Sequence, residues 1–222
     1  RIIGTSAFNE SYDDNAYVGY MYGTPDSSTY AGTHANINDS TIKKYIDTWY
    51  ENNIKGTSNE KYIIDNLFCN DRSFAPNNSG TGAGEVSTYY RWYNFAGSSY
   101  NNKMLLTCPQ QNDAFTVSDT SKGNGTLTYG IGLATTDEMV LGGGWSSSNS
   151  NYYLYTGQYY WTSSPSYFHG YIAYWHYVNS NGDADGDNFA DNTLGVRPVI
   201  SLTSEILEQG DGTASNPFHL AS

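Results

Sequence analysis

The chain has 222 residues, only 14% of them charged, and its 22 acidic against 10 basic side chains give a formal net charge of −12. That length can bury a substantial core, while the acidity excludes the basic stripe with which a nucleic-acid binder displaces counterions. It speaks equally against docking on an anionic membrane surface, and no apolar run approaches the ~20 residues of a membrane span.

The opening "RIIGTSAFNESYDD" is no signal peptide. It reads as the middle of a longer protein whose secretion signal or anchor has been removed. Asn, Ser, Thr and Gly dominate the polar composition, together with 22 tyrosines. A disordered chain lacks aromatics, so disorder is excluded. Tyr, Ser, Gly and Asn are the residues of antibody paratopes, where rigid amphipathic rings give contact area at low entropic cost. They equally suit a β-rich extracellular fold, and composition does not separate the two.

In chain order, the first clear element is a helix in "NDSTIKKYIDTWYENNIKG". Ile42, Tyr45, Ile46 and Trp49 form an apolar stripe at helical spacing. Asp39 or Ser40 caps its start and Gly56 ends it. A second helix is expected in "SNEKYIIDNLFC", with Tyr62, Ile63 and Leu67 on one side and Ser58 or Asn59 as cap. The glycine-rich "GTGAGE" at 80–85, within the polar stretch "FAPNNSGTGAGEVS", lacks the Lys-Ser/Thr of a phosphate loop and reads as a loop. Cys69 and Cys108 form no CxxC and have no histidine close in sequence, which argues against zinc. A disulfide in an oxidising location is favoured, with two free buried thiols as the alternative.

Further on, "LTYGIGL" reads as a strand. "TTDEMVL" reads as a short helix capped by Thr135 or Thr136, with Asp137 and Glu138 at its positive end and Gly142 to Gly144 as its stop. The polar "WSSSNSN" is another loop. "YYLYTGQYYWTSS", "YIAYWHYV" and "GVRPVISL" are β-prone and bounded by Gly, Asn, Ser and Pro. Helices first and strands later indicate an α+β class, with helices packed on small antiparallel sheets joined by long loops, in one domain over residues 1–222.

A catalytic constellation is not visible. His34, His169, His176 and His219 are scattered, no GxSxG or HExxH occurs, and helix capping accounts for Asp137 and Glu138. The nearest approach to a motif is "NSNGDADGDNFADN", Asn179 to Asn192. Counting from Asn181, Asp183, Asp185 and Gly186 fill the third, fifth and sixth positions of a calcium loop. The twelfth is Asn192 rather than a bidentate Glu, the eighth is the polar Asn188, and no helix pair brackets the loop. Calcium is therefore the minority reading and a hydrated hairpin tip the commoner one.

In the preceding strand, alternation puts Tyr174, His176 and Val178 on one face and Trp175 and Tyr177 on the other. With Val178 inward, Trp175 and Tyr177 are expected outside, beside Tyr171, His169 and Tyr167. Exposed aromatics next to a carboxylate-bearing loop make a recognition patch. The alternative is that these rings line a tyrosine-rich core.

Taken together, "IGLATTDEMVLGGG", "YYWTSSPS", a strand, a polar tract and "GVRPVISL" resemble the C-type-lectin-like domains related to the formylglycine-generating enzymes. Bacterial members of that group include variable proteins of diversity-generating retroelements. There a short Thr/Glu helix precedes a Trp-containing strand, and a Gly-Val/Phe-Arg strand closes the fold. The resemblance covers about residues 127–203. The earlier "FCNDRS" at 68–73 and "CPQ" at 108–110 look like surface proteins of gut Firmicutes, some of them behind a prepilin-like segment.

The resemblance implies a C-type-lectin-like fold whose ligand face carries the tract 167–192, just before the closing strand. Most residues of that tract fall in the set reached by randomising adenines in Asn codons; Trp175 does not. Tyr167, His169, Tyr171, Trp175, Tyr177 and Phe189 would supply stacking and apolar contact, and Asp183, Asp185, Asp187 and Asp191 hydrogen-bond acceptors. The partner would be a protein or glycan on a host or neighbouring cell, with no nucleic acid and no membrane insertion. The location would be extracellular, at a bacterial surface or pilus. Formylglycine-type catalysis uses two cysteines late in the fold, and none follows Cys108. The Glu-Pro-Asn or Gln-Pro-Asp motif of lectin-type calcium binding is missing too. The expectation is a non-enzymatic binding domain without cofactor, with a filament or phage-tail subunit, or a glycan-active enzyme, as the rivals.

Overall fold

In a computed structural model, the structure describes residues 1–74, 105–144, 150–168, 170–204, 207–209, 213, 215–216 and 219–220. The stretch "GTGAGE", most of the polar loops around it and of "WSSSNSN", and His169 lie outside the described residues. A five-stranded sheet pairs an N-terminal strand with strands drawn from residues 160–196. Its order is β1 (Gly4–Ala7), β10 (Thr193–Val196), β7 (Tyr160–Phe168), β8 (Ala173–Val178) and β9 (Ala184–Phe189). The β10–β7 pair is parallel and the others antiparallel. Two-stranded pairs surround it: β2 (Met21–Tyr22) with β3 (Asn38–Asp39), β4 (Phe68–Cys69) with β5 (Ala114–Phe115), and β6 (Ile131–Leu133) with β11 (Pro198–Ile200). Another joins β12 (Leu207–Gln209) and β13 (His219–Leu220). The helices are α1 (Tyr30–Thr33), α2 (Thr41–Asn53) and α3 (Thr136–Leu141). This is a mixed α/β structure with few helices and small sheets, compatible with the α+β class.

Helix α2 forms where the apolar periodicity predicts it. Ser40 caps it by accepting the Lys43 N–H at 3.2 Å, and Ile42, Ile46 and Tyr50 are buried. Tyr45 and Trp49 pack against the core at its margin. Lys43 is buried too, its ammonium held 2.7 Å from Asp47 and 3.1 Å from Asp39. Past the helix, Gly56 takes a left-handed φ of 75°, a conformation that costs glycine little.

The second expected helix does not form. Only a single 3-10 turn, Glu60–Tyr62, is present. Beyond it Ile63 bridges to Leu202, and the Ile64 N–H donates to the Ser201 carbonyl at 3.0 Å. Asp65 accepts the backbone N–H groups of Val117, Ser118 and Asp119. Tertiary partners for backbone and carboxylate thus override a local helical pattern. Helix α3 does form, with a capping box in which Thr135 caps and Glu138 reaches back. Asp137 does more than complement the helix end, since it also accepts the Leu105 N–H at 2.7 Å.

"FCNDRS" and "WTSSP" join the halves. Cys69 is bonded to Cys108, with Cα atoms 5.6 Å apart. Asn70 accepts the Tyr20 N–H and donates to the carbonyls of Val18 and Ser163, and Ser163 donates to the Cys69 carbonyl. Arg72 and Asp113 form a fully buried ion pair at 2.6 Å, extended by Arg72 donations to the Met21 carbonyl and the Asn36 side chain. Each buried hydroxyl of Thr162, Ser163 and Ser164 also has a partner, as burial of polar groups demands.

Candidate functional site

The tract 167–192 spans the end of β7, all of β8 and β9, and the turns between and after them. Two positions of β8 depart from the expected alternation. Trp175 is fully buried and Tyr177 nearly so, as are His176 and Val178 on the opposite side. The exposed placement expected of Trp175 and Tyr177 is therefore corrected. Alternation identifies an outward face only when one face of the strand meets water, and β8 is covered on both. On one side Trp175 stacks on Phe8, with its indole N–H on the Tyr17 carbonyl at 3.0 Å. On the other Val178 packs with Met139, Ala134 and Tyr160. Trp175 is thus core, not ligand surface.

Other aromatic and acidic residues of the tract gather around β9, an edge strand of the five-stranded sheet. The Tyr177 hydroxyl lies 3.2 Å from carboxylate oxygens of both Asp185 and Asp187. Burial first, and then these two carboxylates, push the Tyr177 phenol well above its ordinary range, so it stays a donor at neutral pH. Tyr159, half exposed, stacks on Tyr177 with ring centroids 6.0 Å apart. Tyr167 stacks on Tyr174 at 4.5 Å, and Tyr174 meets Phe189 edge-on at 5.1 Å. Tyr12 closes against Phe189 at 5.3 Å. Burial first, and then Tyr174 and Asp187, raise the Tyr167 phenol from its ordinary range.

A register shift builds this arrangement. Trp175 faces Asn188 across the ladder, whereas Tyr177 faces Asp185. The β9 strand therefore holds one extra residue opposite His176, a bulge that re-aims side chains near a sheet edge. Glycine is required there because a Cβ on Gly186 would sit 2.6 Å from the His176 ring and 2.8 Å from the Ser166 hydroxyl.

Other tract residues fall around this centre. Tyr171 and Asp191 are exposed, as is Asp187, while Tyr167, Asp185 and Phe189 are half-buried. Asp183 closes the β8–β9 turn, where its N–H donates to the Asn179 side chain and its carbonyl accepts the Asn179 N–H. The four aspartates are thus spread over a turn, a strand and a second turn. Among the described residues no three His, Cys, Asp or Glu side chains converge to hold a metal ion. Periodicity did not single out Tyr174, Tyr159 or Tyr12, because a bulge and a long-range contact from the N-terminal segment leave no local signal.

Compared with known proteins, the chain matches no family model, no curated protein and no solved structure. The candidate site is described by its own geometry alone: aromatic and acidic side chains on the rim of a small sheet. No helix among the described residues is long and apolar enough to cross a membrane.

Proposed function

We propose that this chain is a non-enzymatic ligand-binding domain of C-type-lectin-like type, displayed outside a bacterial cell on its surface or a pilus. The β9 rim recognises a protein or glycan on another cell. The observation that carries this reading is the pairing of a fixed interior with an exposed, chemically mixed rim. Trp175, Val178 and Ala190 are locked in the core, while Tyr171, Asp187 and Asp191 of the same tract face solvent. Such a division lets contact residues differ without disturbing the fold, which suits a tract diversified by a retroelement. The order of elements supports the fold assignment as well, with the short capped helix α3 ahead of the Trp161 strand and β10 joining that strand to β1. The Cys69–Cys108 disulfide fits an oxidising compartment.

The test is a panel of glycans and cell-surface proteins probed with wild type and with Tyr171→Ala/Asp187→Ala. Recognition predicts a ligand that wild type binds and the variant loses at unchanged melting temperature. A ligand bound equally by both would move the site elsewhere. Self-assembly of wild type that the variant abolishes would favour a filament subunit instead.

A further inference from the structure

We infer that the groove between helix α2 and β1 is a second binding site, independent of the β9 rim, and that it takes a carboxylated pyranose sugar. The groove lies at the β1 edge of the five-stranded sheet, opposite the β9 edge. Its volume is about 450 Å³, within the range of small-ligand sites. It is lined by Ser6 of β1 and by two neighbouring stripes of α2 at i, i+4 spacing. Tyr45 and Trp49 form one stripe, and Lys44, Thr48 and Asn52 the other.

Charge and unmet donors select the occupant. Although the chain has 22 acidic residues, no carboxylate lines the groove. Lys44 is the one described lysine with neither a carboxylate nor a ring as partner. Lys43, Lys55 and Lys122 form ion pairs, and Lys61 lies over the Tyr62 ring. Trp49 is likewise the one described tryptophan whose indole N–H has no acceptor, since Trp161 donates to the Ser6 carbonyl and Trp175 to that of Tyr17. Its ring is half-buried against the core, and no other described ring contacts it. The Asn52 side-chain amide, on the exposed face of the helix, has no hydrogen-bond partner among the described residues.

Rings beside an unpaired cation and unmet neutral donors fit one ligand chemistry. An aromatic side chain receives the apolar C–H face of a pyranose, while amide and hydroxyl groups exchange hydrogen bonds with its hydroxyls. A carboxylate on the sugar meets Lys44 in a charge-assisted hydrogen bond. The carboxylates of α2 itself do not oppose this, because Lys43 neutralises Asp47 and Lys55 with Tyr129 engages Glu51. More distant charge is screened over ~8 Å at physiological salt. A second copy of the chain is a poor occupant, since two molecules of net charge −12 repel each other.

The experiment is an NMR titration of the oxidised chain with the methyl glycosides of glucuronate and N-acetylneuraminate. Methyl glucoside serves as the ring without charge, and acetate as the charge without ring. The inference predicts saturable shifts centred on the Trp49 indole N–H, Thr48 and Asn52 with an acidic glycoside, and about tenfold weaker binding of the two controls. Lys44→Gln should bring the acidic glycoside down to the level of methyl glucoside. Asn52→Glu, which places a carboxylate in the groove, should abolish its binding. Both residues are exposed, so both variants should melt as wild type does. The rim variant Tyr171→Ala/Asp187→Ala should bind the acidic glycoside as wild type does, which separates the groove from the rim. Equal binding of acetate or methyl glucoside, binding undiminished in Lys44→Gln, shifts centred outside the groove, or silence of both acidic glycosides would overturn the inference.

Discussion

Trp175 lies on Phe8 with ring centroids 3.3 Å apart and planes inclined by 19°. The contact ties the middle of β8 to the segment following β1, and the indole N–H is satisfied by the Tyr17 carbonyl. Replacing a buried Trp by Ala leaves a cavity worth about 3–5 kcal/mol. Trp175→Ala should therefore melt far below wild type or fail to fold, and Trp175→Phe should lose less. Chemical denaturation of the two variants checks this. A Trp175→Ala protein of wild-type stability would contradict the buried position.

A second prediction concerns the Arg72–Asp113 pair. Both side chains are almost wholly excluded from water, so removing one strands a charge. Asp113→Leu should cost about 3–5 kcal/mol, while the double change Arg72→Met/Asp113→Leu should cost less than Arg72→Met and Asp113→Leu added together. A double-mutant cycle by urea unfolding measures the coupling.

The disulfide closes a 39-residue separation between Cys69 and Cys108. Loop-closure entropy puts its contribution at about 4 kcal/mol. Intact mass should rise by about two hydrogens on reduction, which breaks one S–S bond and forms two thiols, with a marked fall in the denaturation midpoint. Reduction without loss of stability would mean that the Arg72–Asp113 and Asn70 contacts hold this region alone.

Stability should decline at both ends of the pH range. Burial, and then the Arg72 charge, lower His34 from its ordinary 6.5 to about 3. Its contribution is complete above pH 6.5 and is lost as pH falls toward 3, because the unfolded chain binds the proton more readily. The His34 ring resonance should show no titration near pH 6.5. At the alkaline end, burial raises Tyr22 and Tyr30 to about 12 and lifts Tyr20 and Tyr177 as well. These phenols stabilise the fold below pH 10, and that contribution is lost as pH rises from 10 through their folded values. Absorbance of tyrosinate should therefore lag behind that of a denatured control. Coincident titration curves would contradict the burial.

Much of this was legible in the residues. Ile42 and Ile46 at helical spacing, the Thr135-to-Glu138 capping box and the β-prone runs that became β7, β8 and β10 are local signals. What failed depended on distant partners. "SNEKYIIDNLFC" has helical periodicity, yet Ile63 and Ile64 pair with the segment after β11. The aromatic strand alternates as if half-solvated, but Phe8 and Tyr17 arrive from the chain start to cover Trp175. The extra residue opposite His176, which lets Asp185 and Asp187 share one phenol, is a register property that appears only when strands are paired.

The central claim is that the β9 rim carries recognition while the strands beneath it carry the fold. The most direct measurement is the melting temperature of Tyr171→Ala/Asp187→Ala/Asp191→Ala beside that of wild type. Substitutions at exposed sites usually stay within about 0.5 kcal/mol each, so the account predicts melting within a few degrees of wild type. Collapse of the triple variant would show that these side chains hold the fold together, and would contradict a surface free to vary for binding.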